Sequence, residues 1–289
     1  MSVPVAVPSV TVVIPTLNSA ATLGQQLAAL ATQTYTGSWE VVVADNGSTD
    51  GTPEVVGLCQ RSLPRLRLVN AGGRRGVSHA RNVGSRAAAA PLICYCDSDD
   101  IVTSVWLAEM VEGLATADLV GGPIEPLDDR LPSLGMPPHG EAPRALGELP
   151  YLTGANFGIR AEVLRTLGWW DERYVGGAED VELSWRALRS GFRLAFIPVA
   201  VVRKRGRDST ASLVVQWYRY GLTDSRLLRQ YHAHTGRGAA MARAAMAWGW
   251  ILVHCPDLLF RRRRQRWIEA LALRAGRLVG GLRRAHLGL

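Results

Sequence analysis

Ile93-Cys94-Tyr95-Cys96-Asp97-Ser98-Asp99-Asp100 decides the reading of this chain. A short apolar run ends in three carboxylates within four residues. The pattern predicts a buried strand, Leu92 to Cys96, with its acids at the carboxyl end, where open α/β sheets bind ligands. Three carboxylates so close repel one another unless a cation sits among them. A hard divalent metal with oxygen ligands, itself holding a phosphate, meets that need. The competing reading is a polar strand-to-helix turn whose aspartates cap the next helix.

Working outward, strand and helix alternate through the first half. Strands are expected at Val10 to Ile14 (ended by Pro15), Trp39 to Ala44, Arg67 to Val69 and Asp118 to Gly121. Helices are expected at Ala20 to Thr32, Pro53 to Gln60, Ser78 to Ala89 and Ser104 to Ala115. That alternation argues for a parallel, doubly wound sheet. Pro123 to Pro150 carries seven prolines and reads as a long loop over a site. Ala161 to Leu167 and Ala178 to Ser190 read as helices, Phe192 to Val202 as one or two strands, and the chain from Leu213 onward as helical.

Composition narrows the function classes. Of the 289 residues 47% are hydrophobic and 20% charged, so a sizeable core is available. The net charge is +8, and Arg261 to Leu289 carries nine arginines against Glu269 alone, also +8. The body is therefore neutral, which argues against a specific nucleic-acid-binding protein and leaves only weak polyanion contact at Arg261 to Arg264. The four cysteines lack zinc-finger or disulfide spacing and read as buried thiols in a reducing compartment, Cys94 and Cys96 on one strand face. No signal peptide is legible in Met1 to Val10. His232 and His234 diverge on a helix and are not expected to form a metal pair.

Several further segments carry chemistry. Pro15-Thr16-Leu17-Asn18 offers backbone groups and a hydroxyl at a strand end. Asp45-Asn46-Gly47-Ser48 ends the second strand, where a carboxylate accepts from a ribose or a base N–H, or else forms an Asx turn. Arg74, Arg75 and Arg81 surround the helix start at Gly76 to Ser78, a setting suited to a diphosphate or to plain solvation. No Walker loop and no G-x-G-x-x-G is present, so phosphates are left to a metal and arginines. Glu179-Asp180-Val181-Glu182 opens a helix, where acids favour the dipole or supply a base toward a hydroxyl.

Together and in order, these segments resemble the family-2 glycosyltransferases of the GT-A fold. Val12 to Asn18, Asp45 to Thr52, Gly76 to Asn82 and Asp97-Ser98-Asp99 carry the likeness on the donor side, and Gly154 to Phe157, Trp170-Asp171-Glu172 and Glu179-Asp180 on the acceptor side. The resemblance spans roughly residues 9 to 200. It implies a Rossmann-like, mostly parallel central sheet flanked by helices, with a C-terminal helical extension. A catalytic domain is expected over 1–205, with a donor half at about 9–122 and an acceptor half at about 123–205, followed by a helical region over 206–289.

Roles follow from the resemblance residue by residue. It implies a nucleotide site of Pro15, Thr16, Asn18, Asp45, Asn46, Ser48, Arg74, Gly76, Arg81, Asp97 and Ser98, with Asp45 on the nucleobase. Asp99, with Asp97, would ligate Mg²⁺ or Mn²⁺ on the diphosphate. Asp180 would be the general base, with Glu179 as its alternative, and Gly154, Asn156 and Trp170 would face the acceptor. The implied reaction is a single inverting displacement from a nucleotide-diphospho-sugar, most commonly a UDP-sugar, to a hydroxyl acceptor, in the synthesis of envelope glycans, glycolipids or other glycoconjugates. One departure stands out: many relatives carry a histidine metal ligand after the late strand, whereas this chain reads Val201-Val202-Arg203-Lys204-Arg205. Those cations could neutralise the diphosphate themselves.

Two rival readings fit the residues less well. A nucleotidyltransferase-like enzyme would need a Gly- and Arg-rich first loop, and Pro15 to Ala21 has neither residue. A silent glycan- or nucleotide-binding scaffold would not need Asp97, Asp99 and Asp180 together. The apolar stretch Ala244 to Cys255 is too short to span a bilayer. Beyond it, Trp267, Leu271, Leu278 and Leu282 line one helical face and Arg263, Arg266, Arg274, Arg277 and Arg284 another. That profile predicts contact with an anionic membrane surface, on the cytoplasmic side, for a peripheral enzyme; packing on the body is the alternative.

Overall fold

The computed structural model describes residues 9–63, 65–127, 140–146, 149–206, 209–231 and 237–286. The chain divides into one unit of Met1–Arg173 with Glu179–Gly206, and a second of Tyr174–Ala178 with Arg207–Leu289. The histidines at 232 and 234 lie outside the described residues, as does half of the proline-rich stretch.

In the first unit the elements run β1 (Val10–Thr16), α1 (Leu23–Ala31), β2 (Trp39–Asp45), α2 (Thr52–Cys59), β3 (Leu66–Asn70), α3 (Val77–Ala87), β4 (Leu92–Cys96), β5 (Ile101–Val102), α4 (Trp106–Thr116), β6 (Leu119–Gly121), β7 (Ile124–Pro126), β8 (Asn156–Arg160), α5 (Ala161–Thr166), α6 (Glu179–Arg189), β9 (Leu194–Phe196) and β10 (Val202–Lys204). The main sheet has seven strands in the order β3-β2-β1-β4-β8-β6-β9. Strands β1 to β4 are mutually parallel where they pair. Their register brings Thr16 beside Asp45 and Asp45 beside Asn70, so the carboxyl ends of three strands share one edge.

The alternation did not reveal β8, which enters antiparallel between β4 and β6 and pairs Cys96 with Asn156. The sheet is mostly parallel rather than wholly so. Pro15 does not end β1. The strand runs on to Thr16 in register with β2, while its pairing to β4 stops at Val13, so the missing N–H of Pro15 costs no ladder bond to β4. Ile124–Pro126, expected as loop, is a strand of a small second sheet ordered β5-β10-β7.

Both faces of the main sheet are covered, which is why its strands are apolar without alternation. Val12, Ile14, Val41, Val43, Cys94 and Cys96 pack with Leu23, Leu27, Trp106 and Met110 on one face. Val13, Val42, Ile93, Tyr95, Phe157 and Ile159 pack with Trp170 and Leu183 on the other. Each large side chain buried this way contributes about 1.5–3 kcal/mol. Cys94 and Cys96 share one face as their spacing requires, but Cys59 is half-buried and Cys255 exposed.

The second unit comprises α7 (Thr210–Tyr231), α8 (Arg237–Val253), a 3₁₀ turn at Cys255–Leu259, and α9 (Arg261–His286). Helices α7 and α9 meet backbone to backbone: a Cβ on Gly221 would lie 2.1 Å from the Leu273 carbonyl oxygen, and one on Gly276 would lie 2.1 Å from that of Tyr218. Arg277 closes the contact through Asp224 Oδ2 at 2.9 and 2.7 Å. The apolar face expected on α9 is split. Trp267 donates through Nε1 to the Ile251 carbonyl, whereas Leu278 and Leu282 are exposed. Among the described residues no helix is long and apolar enough to cross a membrane.

Candidate active site

The acids after β4 form a cluster in which one carboxylate oxygen of each of Asp97, Asp99 and Asp100 lies within 4.8 Å of the others. Two like charges at that spacing cost about 3 kcal/mol at an effective dielectric of 20. The opposing charge comes from β10. Lys204 Nζ stands 3.5 Å from Asp97 Oδ2 and 3.3 Å from Asp100 Oδ2. Pairing of β10 with β5, the strand that follows the acids, fixes this meeting through Val202 with Val102 and Arg203 with Ile101. Arg205 donates its backbone N–H to Asp100 Oδ1 and its Nε–H to the Asp99 carbonyl.

Burial pushes the Asp100 carboxyl up to about 7, against the pull of Lys204, with Asp97 and Asp99 adding to the rise. Burial would raise Asp97 as well, but Lys204 and Arg81 together hold it below the ordinary range. Gln26 braces the loop from α1, donating to the Asp97 carbonyl and accepting from the Val102 N–H. The sequence signal for Gln26 is a polar residue on the buried face that Leu23, Leu27 and Leu30 define.

Arg81 joins this cluster to the start of α6. Its side chain is 2% exposed, and it donates to Asp97 Oδ1 at 3.2 Å and to Glu179 Oε1 at 2.8 Å. The guanidinium lies over the Trp170 ring at 4.7 Å. It also sits against Gly154, where an added Cβ would come within 2.7 Å of Nη2, so a larger residue there would push the guanidinium aside. The Gly154 N–H donates to Asp180 Oδ2, and Asp180 Oδ1 accepts from the Val181 N–H. Asp180 is thus oriented by two backbone donors. Burial and the Asp180 charge raise the Glu179 carboxyl despite Arg81, and Glu179 Oε2 is buried without a partner.

The remaining expected site residues divide into those that face the strand-end edge and those that build it. Thr16 Oγ1 is buried and makes no hydrogen bond. Asp45 Oδ1 accepts from the Ser48 N–H and hydroxyl, and Ser48 Oγ accepts from the Asn18 N–H. Asn18 takes positive φ (51°), and its Oδ1 accepts from Thr49. Asn46, expected on the nucleotide, instead clamps the arginine loop: its amide donates to the Ala71 and Arg74 carbonyls and accepts from the Gly76 N–H. Ser98 bonds Ser19, tying the acid loop to the loop after β1.

Two acceptor-side expectations need correction. Asn156 is fully buried, with its amide spent on the Pro123 and Ala200 carbonyls and the Trp106 indole, so it locks the sheet and faces no acceptor. Trp170 is 2% exposed and packs on Tyr95 and Phe157 beneath Arg81. Glu172 is the polar member of that segment that reaches α3 and the arginine loop, accepting from Asn82, His79 and Arg74.

The profile of glycosyl transferase family 2 matches residues 11–168, from the second residue of β1 to past α5. The chain belongs to this family. A related profile, glycosyl transferase family group 2, matches residues 92–268. As a family-2 chain it is similar to validoxylamine A glucosyltransferase of Streptomyces hygroscopicus subsp. jinggangensis, at 33% identity over 238 residues, 68% of this chain and 54% of that protein. It is also similar to glycosyltransferase AglE of Haloferax volcanii, at 28% identity, covering 65% of this chain and 64% of that one. The chain therefore spans between about half and two thirds of these relatives' length. Among solved structures, the mannosyltransferase PcManGT of Pyrobaculum calidifontis, in complex with GDP-Man and Mn²⁺, shares the fold with a TM-score of 0.70 at 24% identity, covering 96% of this chain and 88% of that one.

Arg81 is the charge on which both acid groups depend. Arg81→Met leaves Asp97 and Glu179 without their buried partner and is expected to destabilise the first unit by about 3–5 kcal/mol. Arg81→Lys should fall between, because an ammonium lacks the two-pronged reach. Urea denaturation of the three proteins checks this; a loss below about 1 kcal/mol in Arg81→Met would contradict it.

Proposed function

We propose that this family-2 chain is a glycosyltransferase that moves a sugar from a nucleoside-diphosphate donor to an acceptor hydroxyl with inversion. The observation that supports the reading is the Arg81 bridge, which joins Asp97 of the strand-end acids to Glu179, the neighbour of Asp180. Asp45, with Oδ2 unbonded among the described residues, accepts from the base N–H of the nucleotide, with UDP as the expected carrier. Thr16 stands beside Asp45 on the same edge with its hydroxyl buried, and Arg74 lies near the phosphates.

Three carboxylates with only oxygen to offer suit Mg²⁺ or Mn²⁺, with Asp99 and Asp97 as the ligands. When bound, such an ion supplies electrostatic stabilisation to the departing diphosphate. The chain's own groups do the rest. Asp180 accepts the proton of the acceptor hydroxyl as that oxygen attacks the anomeric carbon. Gly154 and Val181 hold its carboxylate in place, and Arg205 and Lys204 add positive charge near the leaving group. The segments around Gly154 and Glu172 border the acceptor's side.

For the second unit we propose contact with an anionic membrane surface, consistent with a peripheral enzyme and a membrane-delivered acceptor. Leu252, Val253, Leu259 and Phe260 are 75%, 74%, 84% and 57% exposed where α8 gives way to α9. The Arg261 to Arg264 run follows them directly. Apolar side chains beside a cationic run match an interfacial anchor better than either feature alone. The apolar element thus lies at this turn rather than along the Trp267 face of α9.

Asp180→Asn should lower transfer by about 10²–10⁴-fold while leaving nucleotide affinity within a factor of two. Turnover of a panel of sugar nucleotides, alongside calorimetry with UDP, reads both, and full turnover in the variant removes the base. In flotation with anionic vesicles, the full chain should rise with the lipid and a Leu259→Glu, Phe260→Glu double variant should stay behind. Equal flotation of the two would reject the anchor.

A further inference from the structure

Lys204 is the one lysine in a chain that carries 32 arginines. It sits between two of the three clustered acids. An ammonium is a compact point charge on a flexible stem, whereas a guanidinium is a wide, planar fork. Both can stand between two carboxylates, as Arg81 does between Asp97 and Glu179, but a single-point ammonium on a flexible stem leaves such a place more readily than a two-pronged fork. Resting on the nucleoside-diphosphate reading above, we propose that Lys204 is a resident counter-cation: it neutralises the acid cluster in the metal-free protein, competes with an entering divalent ion, and when displaced turns to the donor's diphosphate.

Four observations support the exchange. The ammonium contacts Asp97 and Asp100, so it lies at the charge centre a divalent ion would take. Its backbone is fixed, because β10 is held between β5 and β7 through Val202 and Arg203. Its side chain is one quarter exposed, which leaves room for withdrawal toward solvent. Arg205 cannot take its place, since its Nη2 is bound to Gln25 and its Nε to the Asp99 carbonyl. The gain is that three acids remain assembled before any metal arrives. The cost is a weaker intrinsic metal affinity, recovered when the donor gives the displaced ammonium a new anionic partner.

Two measurements on the full chain test this. Free Mn²⁺ is titrated by electron paramagnetic resonance without nucleotide. Lys204→Gln should bind Mn²⁺ about tenfold tighter than the wild-type protein, and should bind UDP in EDTA at least fivefold more weakly. A folded Lys204→Gln whose Mn²⁺ affinity is unchanged or weaker overturns the proposal. The second measurement needs no variant: because Lys204 is the sole lysine, its acylation by an N-hydroxysuccinimide ester can be followed by peptide mass spectrometry. Mg²⁺ should speed acylation severalfold by freeing the amine from its acids, and UDP added with Mg²⁺ should slow it again. A rate indifferent to Mg²⁺ also overturns the proposal. Wild-type UDP binding in the presence of Mn²⁺ separates the outcomes, since its loss would mean the donor reading itself is wrong.

Discussion

The Arg81 guanidinium, sealed from water, is the interaction on which the rest of the site depends. Asp97 belongs to the strand-end acids, Glu179 to the first turn of α6, and 82 positions of sequence separate them. Glu179 is buried and Asp97 half-buried, so each carboxylate gains from an opposing charge held close to it. One delocalised cation, donating to both and resting on the Trp170 ring, lets the two acid groups stand side by side. Gly154 leaves the guanidinium the space it occupies, and its N–H orients Asp180 in the same stroke. Packing, charge and the geometry of the candidate base are thus one constraint.

The topology explains why these residues meet. Register along β1, β2 and β3 gathers Thr16, Asp45 and Asn70 at one edge of the sheet. An all-parallel sheet would leave the next strand's opposite end far from that edge. Because β8 runs antiparallel, its start, Asn156, lies beside Cys96, and Gly154 with it. The small β5-β10-β7 sheet does the corresponding work on the other side, returning Lys204 and Arg205 to the acids.

Much of this was legible in the sequence because it is local. Leu92 to Cys96 is a strand of the expected bounds, and Asp97, Asp99 and Asp180 are legible as acids at strand and helix ends. Strands of two or three residues, such as Ile101–Val102 and Ile124–Pro126, are too short to show a period and exist only through their partners. The hidden strand β8 reads as Asn-Phe-Gly-Ile-Arg, whose glycine and short apolar run masked it. Asn46 and Asn156 misled for another reason: an asparagine in a motif looks like a ligand-binding group, and only tertiary neighbours show its amide already filled. Lys204 was legible only as one cation of the run after the late strand, and its lodging between Asp97 and Asp100 depends on strand pairing that no local pattern encodes.

The central claim is that the acids after β4 hold a metal–nucleotide diphosphate next to Asp180. Anomalous diffraction from crystals grown with Mn²⁺ and UDP tests it most directly. The account predicts a single strong manganese peak bonded to Asp99 or Asp97 and to the diphosphate, with the sugar-bearing phosphate directed toward Asp180. A nucleotide bound elsewhere, or bound at this edge with manganese away from these carboxylates, would contradict it.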